Sequence, residues 1–219
     1  NGKKMINSDS QTDFKNSTLC IILAAGRSQR MQKHKALLEF SERESFIAHL
    51  INEYKKAEIH NICLVLNPEV ALGFNNVWDN DLSLISNNSP EKGRLHSIRM
   101  ALKTFPEMEF YFIQNVDNPF VSQAVISSLV KGCTKGDYTT PVQNGVGLHP
   151  IVISNKVAQH IISCTDEETT LREILQQFNR NKIYINEINL AANINTQEDY
   201  QTYFNKIPLR SQECTLGWW

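Results

Sequence analysis

The segment 24–35 reads AAGRSQRMQKHK and follows directly on the apolar run Leu19, Cys20, Ile21, Ile22, Leu23. Ala24, Ala25 and Gly26 carry almost no side chain, so a flat base or a phosphate can approach their backbone closely. Arg27, Arg30, Lys33 and Lys35 then supply four cations within nine positions. Backbone N–H groups wrapped around phosphate oxygens, with Arg and Lys neutralising their charge, suit a triphosphate. The spacing is neither G-x-x-x-x-G-K-S/T nor G-x-G-x-x-G. By composition alone the segment reads equally as a solvated basic loop after a core strand. Asp117 closes a second apolar run and is followed by Asn118 and Pro119. One carboxylate with phosphate oxygens and water is the usual way to hold Mg²⁺, and an Asx-turn at a strand end is the structural alternative. Asn193 and Asn195 flank Ile194; on a strand both would point to one face, and otherwise they cap the helix that Thr196 begins. His149 precedes Pro150 at the start of an apolar run and reads as a strand-end histidine.

These residues need a frame to bring them together. Residues 19–23 and 61–66 are short continuous apolar runs, the pattern of strands buried on both faces. Residues 82–85 and 110–116 give two more strands. Phe46, Ile47, Leu50, Ile51 and Tyr54 recur at helical spacing and predict an amphipathic helix over 45–58. Pro68 opens a short helix or turn. Leu95, Ile98, Ala101, Leu102 and Phe105 mark another helix, and Ser122 caps one that carries Val125, Ile126, Leu129 and Val130. The first half is therefore a β-α alternation, which predicts an α/β fold: a single-domain, Rossmann-like three-layer sandwich with a mostly parallel mixed sheet. In such sheets ligands sit beyond the carboxyl ends of the strands, where segment 24–35 and Asp117 both fall. In the second half, 137–143 and 149–153 read as strands around the turn pair Asn144-Gly145, 157–164 and 170–178 as helices, and 182–188 and 190–194 as strands. Thr196 caps a last helix through Phe204.

Composition limits the partners. Hydrophobic residues make up 41% and charged residues 21% of the 219, and the net charge is −1. That balance gives no reason to expect a nucleic acid or a membrane surface as partner, so phosphate binding has to be local. No stretch approaches the ~18 apolar residues of a membrane span. The five cysteines form no C-x-x-C pair, and Cys20 and Cys63 lie in apolar runs, so free buried thiols in a reducing, cytoplasmic setting are expected. Residues 1–17 are polar and lack the apolar core of a secretory leader. The domain is expected over 18–205, with 1–17 disordered or extraneous to the domain and 206–219 a tail ending in Gly217-Trp218-Trp219.

The pattern Leu23-Ala24-Ala25-Gly26-x-Ser28-x-Arg30-Met31-x-x-x-Lys35 resembles the signature of the nucleotidyltransferase superfamily. That group includes molybdenum-cofactor guanylyl- and cytidylyltransferases, methylerythritol-phosphate cytidylyltransferase and sugar-phosphate nucleotidyltransferases. Further likenesses follow in order. Gly93 to Ser97 resembles a G-x-x-x-S segment, Asp117-Asn118-Pro119 a D-x-P motif, Leu148-His149-Pro150 a G-H-P segment, and the stretch from Asn193 to Asp199 a closing N/D-x-N/D-T-P-E-D motif. Gln32, Leu148 and Gln197 stand where relatives have Gly, Gly and Pro.

The resemblance implies Mg²⁺-dependent transfer of a nucleoside monophosphate from an NTP to a small-molecule acceptor such as a molybdopterin or a polyol or sugar phosphate, with release of pyrophosphate. It implies that Arg30 and Lys35 act on the phosphates, and that Leu23, Ala24, Ala25, Gly26, Arg27, Ser28, Gly93 and Ser97 seat the nucleotide. It further implies that Asp117 and Asn195 hold Mg²⁺ and that His149 faces the acceptor. The Leu-Ala-Ala-Gly opening and the His149-Pro150 pair favour CTP over GTP, although the Asn-x-Asn-Thr ending fits the guanylyl branch at least as well. Two rivals remain. A catalytically impaired nucleotide-binding regulator is motivated by Gln32, Leu148, Gln197 and the uncharged Asn pair. A glycosyltransferase would share the architecture but would want D-x-D, and Asp117-Asn118-Pro119 lacks the second Asp.

Overall fold

A computed structural model describes residues 16–26, 31, 34–74 and 82–204. The terminal segments expected at 1–17 and 206–219 lie almost wholly outside these residues, as do Arg27, Ser28, Arg30, Gln32 and Lys33. In chain order the elements are β1 (Thr18–Ala24), β2 (Glu39–Ser41), β3 (Glu44–Ser45), α1 (Phe46–Lys56), β4 (Ile62–Leu66), α2 (Pro68–Phe74), β5 (Leu82–Ser86), α3 (Gly93–Thr104), β6 (Phe110–Asn115) and α4 (Gln123–Gly132). Then come β7 (Tyr138–Gln143), β8 (Val146–Gly147), β9 (Ile151–Ser154), α5 (Asn155–Ser163), α6 (Leu171–Leu175), β10 (Arg180–Tyr184) and α7 (Gln197–Tyr203).

One sheet of eight strands forms the middle layer, in the order β10-β7-β9-β6-β1-β4-β5, with β8 hairpinned onto β7. β1 runs parallel to both β4 and β6, and β4 parallel to β5. β9 runs antiparallel to β6 and to β7, which makes the sheet mixed but mostly parallel, as the alternation predicts.

β1 shows why both faces must be covered. Leu19, Ile21 and Leu23 point into a core with α3, α5 and α6, while Cys20, Ile22 and Ala24 point into a core with α1, α2, α4 and Tyr200 of α7. A strand buried on both faces has no place for polar alternation, hence its continuous apolar run. α1 forms where the sequence places its apolar stripe. Ser45 accepts a hydrogen bond from the Ala48 N–H at its start, and Lys55 and Lys56 lie in its last turn. Fully burying side chains such as Phe46, Ile47 and Leu50 contributes about 1.5–3 kcal/mol each. Cys20, Cys63 and Cys133 are buried, and with half-buried Cys164 they are free thiols.

Two expectations are corrected. The run 190–194 is not a strand: the chain turns over 188–191 and continues irregularly to Thr196. Its conformation is set by tertiary bonds, with the Ile194 N–H donating to the Asp117 carbonyl at 2.8 Å. The strand expected at 182–188 lies instead at Arg180–Tyr184, in register with Tyr138–Val142 of β7. The small β2-β3 hairpin is not foreseen in the sequence, because neither strand is long or apolar enough to signal itself.

A buried polar link ties α1 to the end of β6. The Tyr54 hydroxyl donates to Gln114 Oε1 at 3.1 Å, and Gln114 Nε2 donates to the carbonyls of Asn115 at 2.8 Å and Asn118 at 3.0 Å. Tyr54→Phe leaves the Gln114 oxygen without this donor inside the core. The expected cost is about 1–3 kcal/mol, read as a Tm lowered by about 2–4 °C for each kcal/mol.

Candidate active site

The parallel pairing of β1 with β6 sets Leu23 opposite Asn115. Both chains therefore leave the sheet at one level, and the Val116 N–H adds a last rung to the Leu23 carbonyl at 3.1 Å. Beyond this level lies a cleft of about 590 Å³, lined by Leu23, Ala24, Ala25, Gly26, Lys35, Pro90, Glu91, Gly93, Arg94, Ser97, Asn115, Val116, Asp117 and Asn195. It is the crevice beyond the strand ends that open α/β sheets use for ligands.

The charged part of the floor comes from three separate pieces of chain. Lys35 starts a single 3-10 turn, Lys35–Leu37, which is anchored by the buried side chains of Ala36 and Leu38. Asp117 is the second residue past β6, and Pro119 supplies no N–H to prolong the strand. Asn195 sits just ahead of α7, where the Asp199 carboxylate accepts the N–H groups of both Asn195 and Thr196 at 2.9 Å, and Thr196 Oγ1 accepts from the Asp199 N–H. Those backbone donors hold the Asp199 carboxyl below its usual pKa, since they favour its charged form. The pieces meet at one ammonium: Lys35 Nζ donates to Asn195 Oδ1 at 2.6 Å and lies 3.7 Å from Asp117 Oδ2.

The opposite wall is the start of α3. Gly93 has φ +81° and ψ −179°, a backbone region open only to glycine. Lys92, at the N-cap, makes no side-chain cap, so the first backbone N–H groups of α3 are not capped by that side chain. Ser97 Oγ accepts from Asn87 Nδ2 at 2.9 Å, which leaves the hydroxyl proton as a donor. Arg94 reaches over the cleft toward Asn115 Oδ1, at 3.5 Å.

Of the residues nominated from sequence, Leu23, Ala24, Ala25, Gly26, Lys35, Gly93, Ser97, Asp117 and Asn195 line this cleft together. Arg27, Ser28 and Arg30 lie outside the described residues. His149 is not among the lining residues. Among the described residues its buried Nδ1 has no hydrogen-bond partner, and burial and then the Arg94 charge lower its pKa against the Ile113 carbonyl and Asp117. Asn193 parts from Asn195: it is exposed and accepts from Asn118 rather than facing Lys35. Sequence reading passes over Arg94, Glu91 and Asn115. For Asn115 the available signal was its position two residues before Asp117; for Arg94, the first turn of a helix that opens with glycine. Among the described residues no three His, Cys, Asp or Glu side chains converge as a ready-made metal cage.

Residues 20–182 match the MobA-like NTP transferase domain. The chain belongs to the MobA-like NTP transferase family. The family resemblance carried by segment 23–35 and the motifs after it is thereby borne out. Solved structures share the fold. Rv0371c of Mycobacterium tuberculosis, in complex with manganese, superposes with a TM-score of 0.70 at 14% identity, covering 87% of this chain and 99% of its own. The 4-diphosphocytidyl-2C-methyl-D-erythritol synthase of Anaerococcus prevotii gives 0.65 at 15% identity, covering 85% and 97%. Molybdopterin-guanine dinucleotide biosynthesis protein A of Archaeoglobus fulgidus gives 0.62 at 15% identity, covering 84% and 95%. Among the described residues no helix is long and apolar enough to cross a membrane.

Two cleft glycines differ in why they are glycine. Among the described residues a Cβ added at Gly26 would meet nothing within 4 Å, and its φ is not in the left-handed region, so the described residues do not demand glycine there. Close approach of a ligand is the remaining reason. Gly93 is demanded by its backbone. Gly26→Ala is therefore expected to keep the wild-type Tm and raise the KM for nucleotide, whereas Gly93→Ala is expected to cost about 1–3 kcal/mol of stability. Thermal melts with steady-state kinetics separate the two.

Proposed function

We propose that this protein transfers a nucleoside monophosphate from an NTP, CTP ahead of GTP, to a phosphorylated small-molecule acceptor such as a molybdopterin or a polyol or sugar phosphate, releasing pyrophosphate. The observation that carries the proposal is the convergence of Lys35, Asp117 and Asn195 at the carboxyl ends of β1 and β6, beside a floor of small residues. An acceptor phosphate oxygen attacks the α-phosphorus, a new P–O bond forms, and the bond to the pyrophosphate leaving group breaks. An acceptor that is already anionic needs no general base, so positioning and charge neutralisation do most of the work. Lys35 neutralises phosphate charge, with Arg30 assigned beside it from the sequence motif. The backbone of Ala25 and Gly26 lets the phosphates approach, and Ser97, fixed by Asn87, offers a hydroxyl to the nucleoside.

The residues fit a divalent cation. Asp117 and Asn195 are hard oxygen donors, and a cationic ammonium already lies against both in this structure. They would hold Mg²⁺, which when bound supplies further neutralisation of the triphosphate. The manganese complex of the mycobacterial neighbour supports a divalent ion at this fold.

The impaired-regulator reading loses much of its motive. Leu148 is not among the described non-glycine residues with positive φ, so replacing Gly there introduces no left-handed strain. Gln197 stands at the first helical position of α7, where proline is tolerated but not required, and the Thr196–Asp199 capping box is intact.

The deciding test is a thermal shift with each of the four NTPs and Mg²⁺, followed by pyrophosphate release with candidate acceptors. A nucleotide at 100 times its Kd adds about 2.7 kcal/mol. CTP is expected to stabilise wild type most, with most of that gain lost in Asp117→Ala. Absence of a shift with every NTP defeats the proposal. A second measurement follows from the shared site. Lys35 and a metal compete for the same two oxygens, so Mn²⁺ is expected to bind weakly alone and more tightly once a triphosphate draws Lys35 away. Lys35→Met is expected to raise Mn²⁺ affinity without nucleotide, scored by loss of the free-ion EPR signal; an unchanged affinity rejects the competition.

A further inference from the structure

Asn118 occupies the middle of the Asp-Asn-Pro turn, buried and not among the residues lining the cleft. Every polar atom of its carboxamide is engaged. Oδ1 accepts from Asn115 Nδ2 at 3.2 Å, and Nδ2 donates to the Ala192 carbonyl at 2.9 Å and to Asn193 Oδ1 at 2.7 Å. Asn115 in turn receives Arg94 from the far wall. The carboxamide therefore joins the end of β6 to residues 192–193, a segment with no strand or helix of its own to hold it. Two residues further on is Asn195. The Asp117 backbone carbonyl fixes Ile194 from the same turn, so the carbonyl of residue 117 and the carboxamide of residue 118 together grip residues 192–194, immediately ahead of the Asn195 side chain that meets Lys35.

We infer that Asn118 is a positioning residue for the reaction: through Ala192 and Asn193 it holds Asn195 against Asp117, and so sets the spacing of the two oxygen donors. The inference rests on the reading of Asp117 and Asn195 as the cation site. A carboxamide suits this task because it both accepts and donates. An aspartate of the same size offers no donor and sets a carboxylate against the Ala192 and Asn193 oxygens. Partners that orient the ligands of a metal typically change its affinity by about 10–100-fold when removed.

The test is Mn²⁺ binding to the full chain by EPR, with CTP present, for wild type, Asp117→Ala, Asn118→Ala, Asn118→Asp and Asn193→Ala. Asn118→Ala is expected to weaken Mn²⁺ binding by about 10-fold or more, and to lower kcat with the KM for nucleotide unchanged. Asn118→Asp separates positioning from charge: it adds a negative charge beside the site yet removes both donors, so its affinity is expected to fall. A rise would show that charge rather than placement governs the site and would overturn the inference. Asn193→Ala removes one of the two accepting partners at an exposed position and serves if the buried variants do not fold; a smaller loss in the same direction is expected. Wild-type affinity in folded Asn118→Ala, or in Asn193→Ala where Asn118 variants fail to fold, overturns the inference. Equal Mn²⁺ binding by wild type and Asp117→Ala instead defeats the cation-site reading beneath it.

Discussion

The parallel pairing of β1 with β6 is the constraint on which the site depends. Its register places Leu23 opposite Asn115 and so brings two chain exits to the same edge of the sheet. A strand pair that stops inside a protein leaves carbonyl and N–H groups that need partners, because a buried unpaired backbone group costs as much as a lost hydrogen bond. Here the partners are amide side chains. Gln114 closes the carbonyls of residues 115 and 118, and Asn118 closes that of Ala192. The same bonds that satisfy the backbone thus also shape the floor of the cleft.

That choice of amides has an electrostatic consequence. A buried carboxylate or ammonium needs a counter-charge, while a carboxamide needs only hydrogen bonds. Asn87, Gln114, Asn115 and Asn118 are all buried and uncharged. Lys35 and Asp117, both partly shielded from solvent, then stand as charges on a floor whose neighbouring buried polar side chains are neutral. A chain of net charge −1 can in this way present a concentrated local field without a basic surface.

Much of this was legible in the sequence where one physical cause dominates. Burial on both faces writes itself as the unbroken run of β1, and an amphipathic helix writes itself as the stripe of α1. Ser45, Ser122 and Thr196 announce helix starts because their side chains accept the N–H bonds a helix leaves open. The nominated residues that gather in the cleft were legible because loops after parallel strands share one edge. What failed was legibility of tertiary causes. The polar–apolar–polar order of Asn193, Ile194 and Asn195 imitates a strand, yet the segment is held by Asp117 and Asn118, 74 to 77 positions earlier in the chain and invisible to any local pattern. His149 was assigned through its motif; its local sequence does not show that it stays out of the cleft lining. For Arg94 the sequence offers its place in the first turn of a helix that opens with glycine, but the meeting of α3 with the end of β6, which brings it to the cleft, is a tertiary cause.

The uncharged residue at 195 can be weighed on the same terms. Two unit charges 4 Å apart attract by about 4 kcal/mol at an effective dielectric of about 20. With aspartate at both 117 and 195, the Lys35 ammonium would sit between two such attractions, and a triphosphate would have to overcome both to claim it. With asparagine at 195, the bond at 2.6 Å still aims the ammonium, and the Asp117 charge opposes its release without a second carboxylate at 195. The same change lowers the intrinsic attraction of the pair for a divalent cation. Asparagine at this position therefore weakens the hold on both cations, and a polyanion that contacts Lys35 and the cation together gains relatively more from it. On the proposed reading of Asp117 and Asn195 as the cation site, the carboxamide would shift the site from one that retains its cations to one in which they follow the substrate.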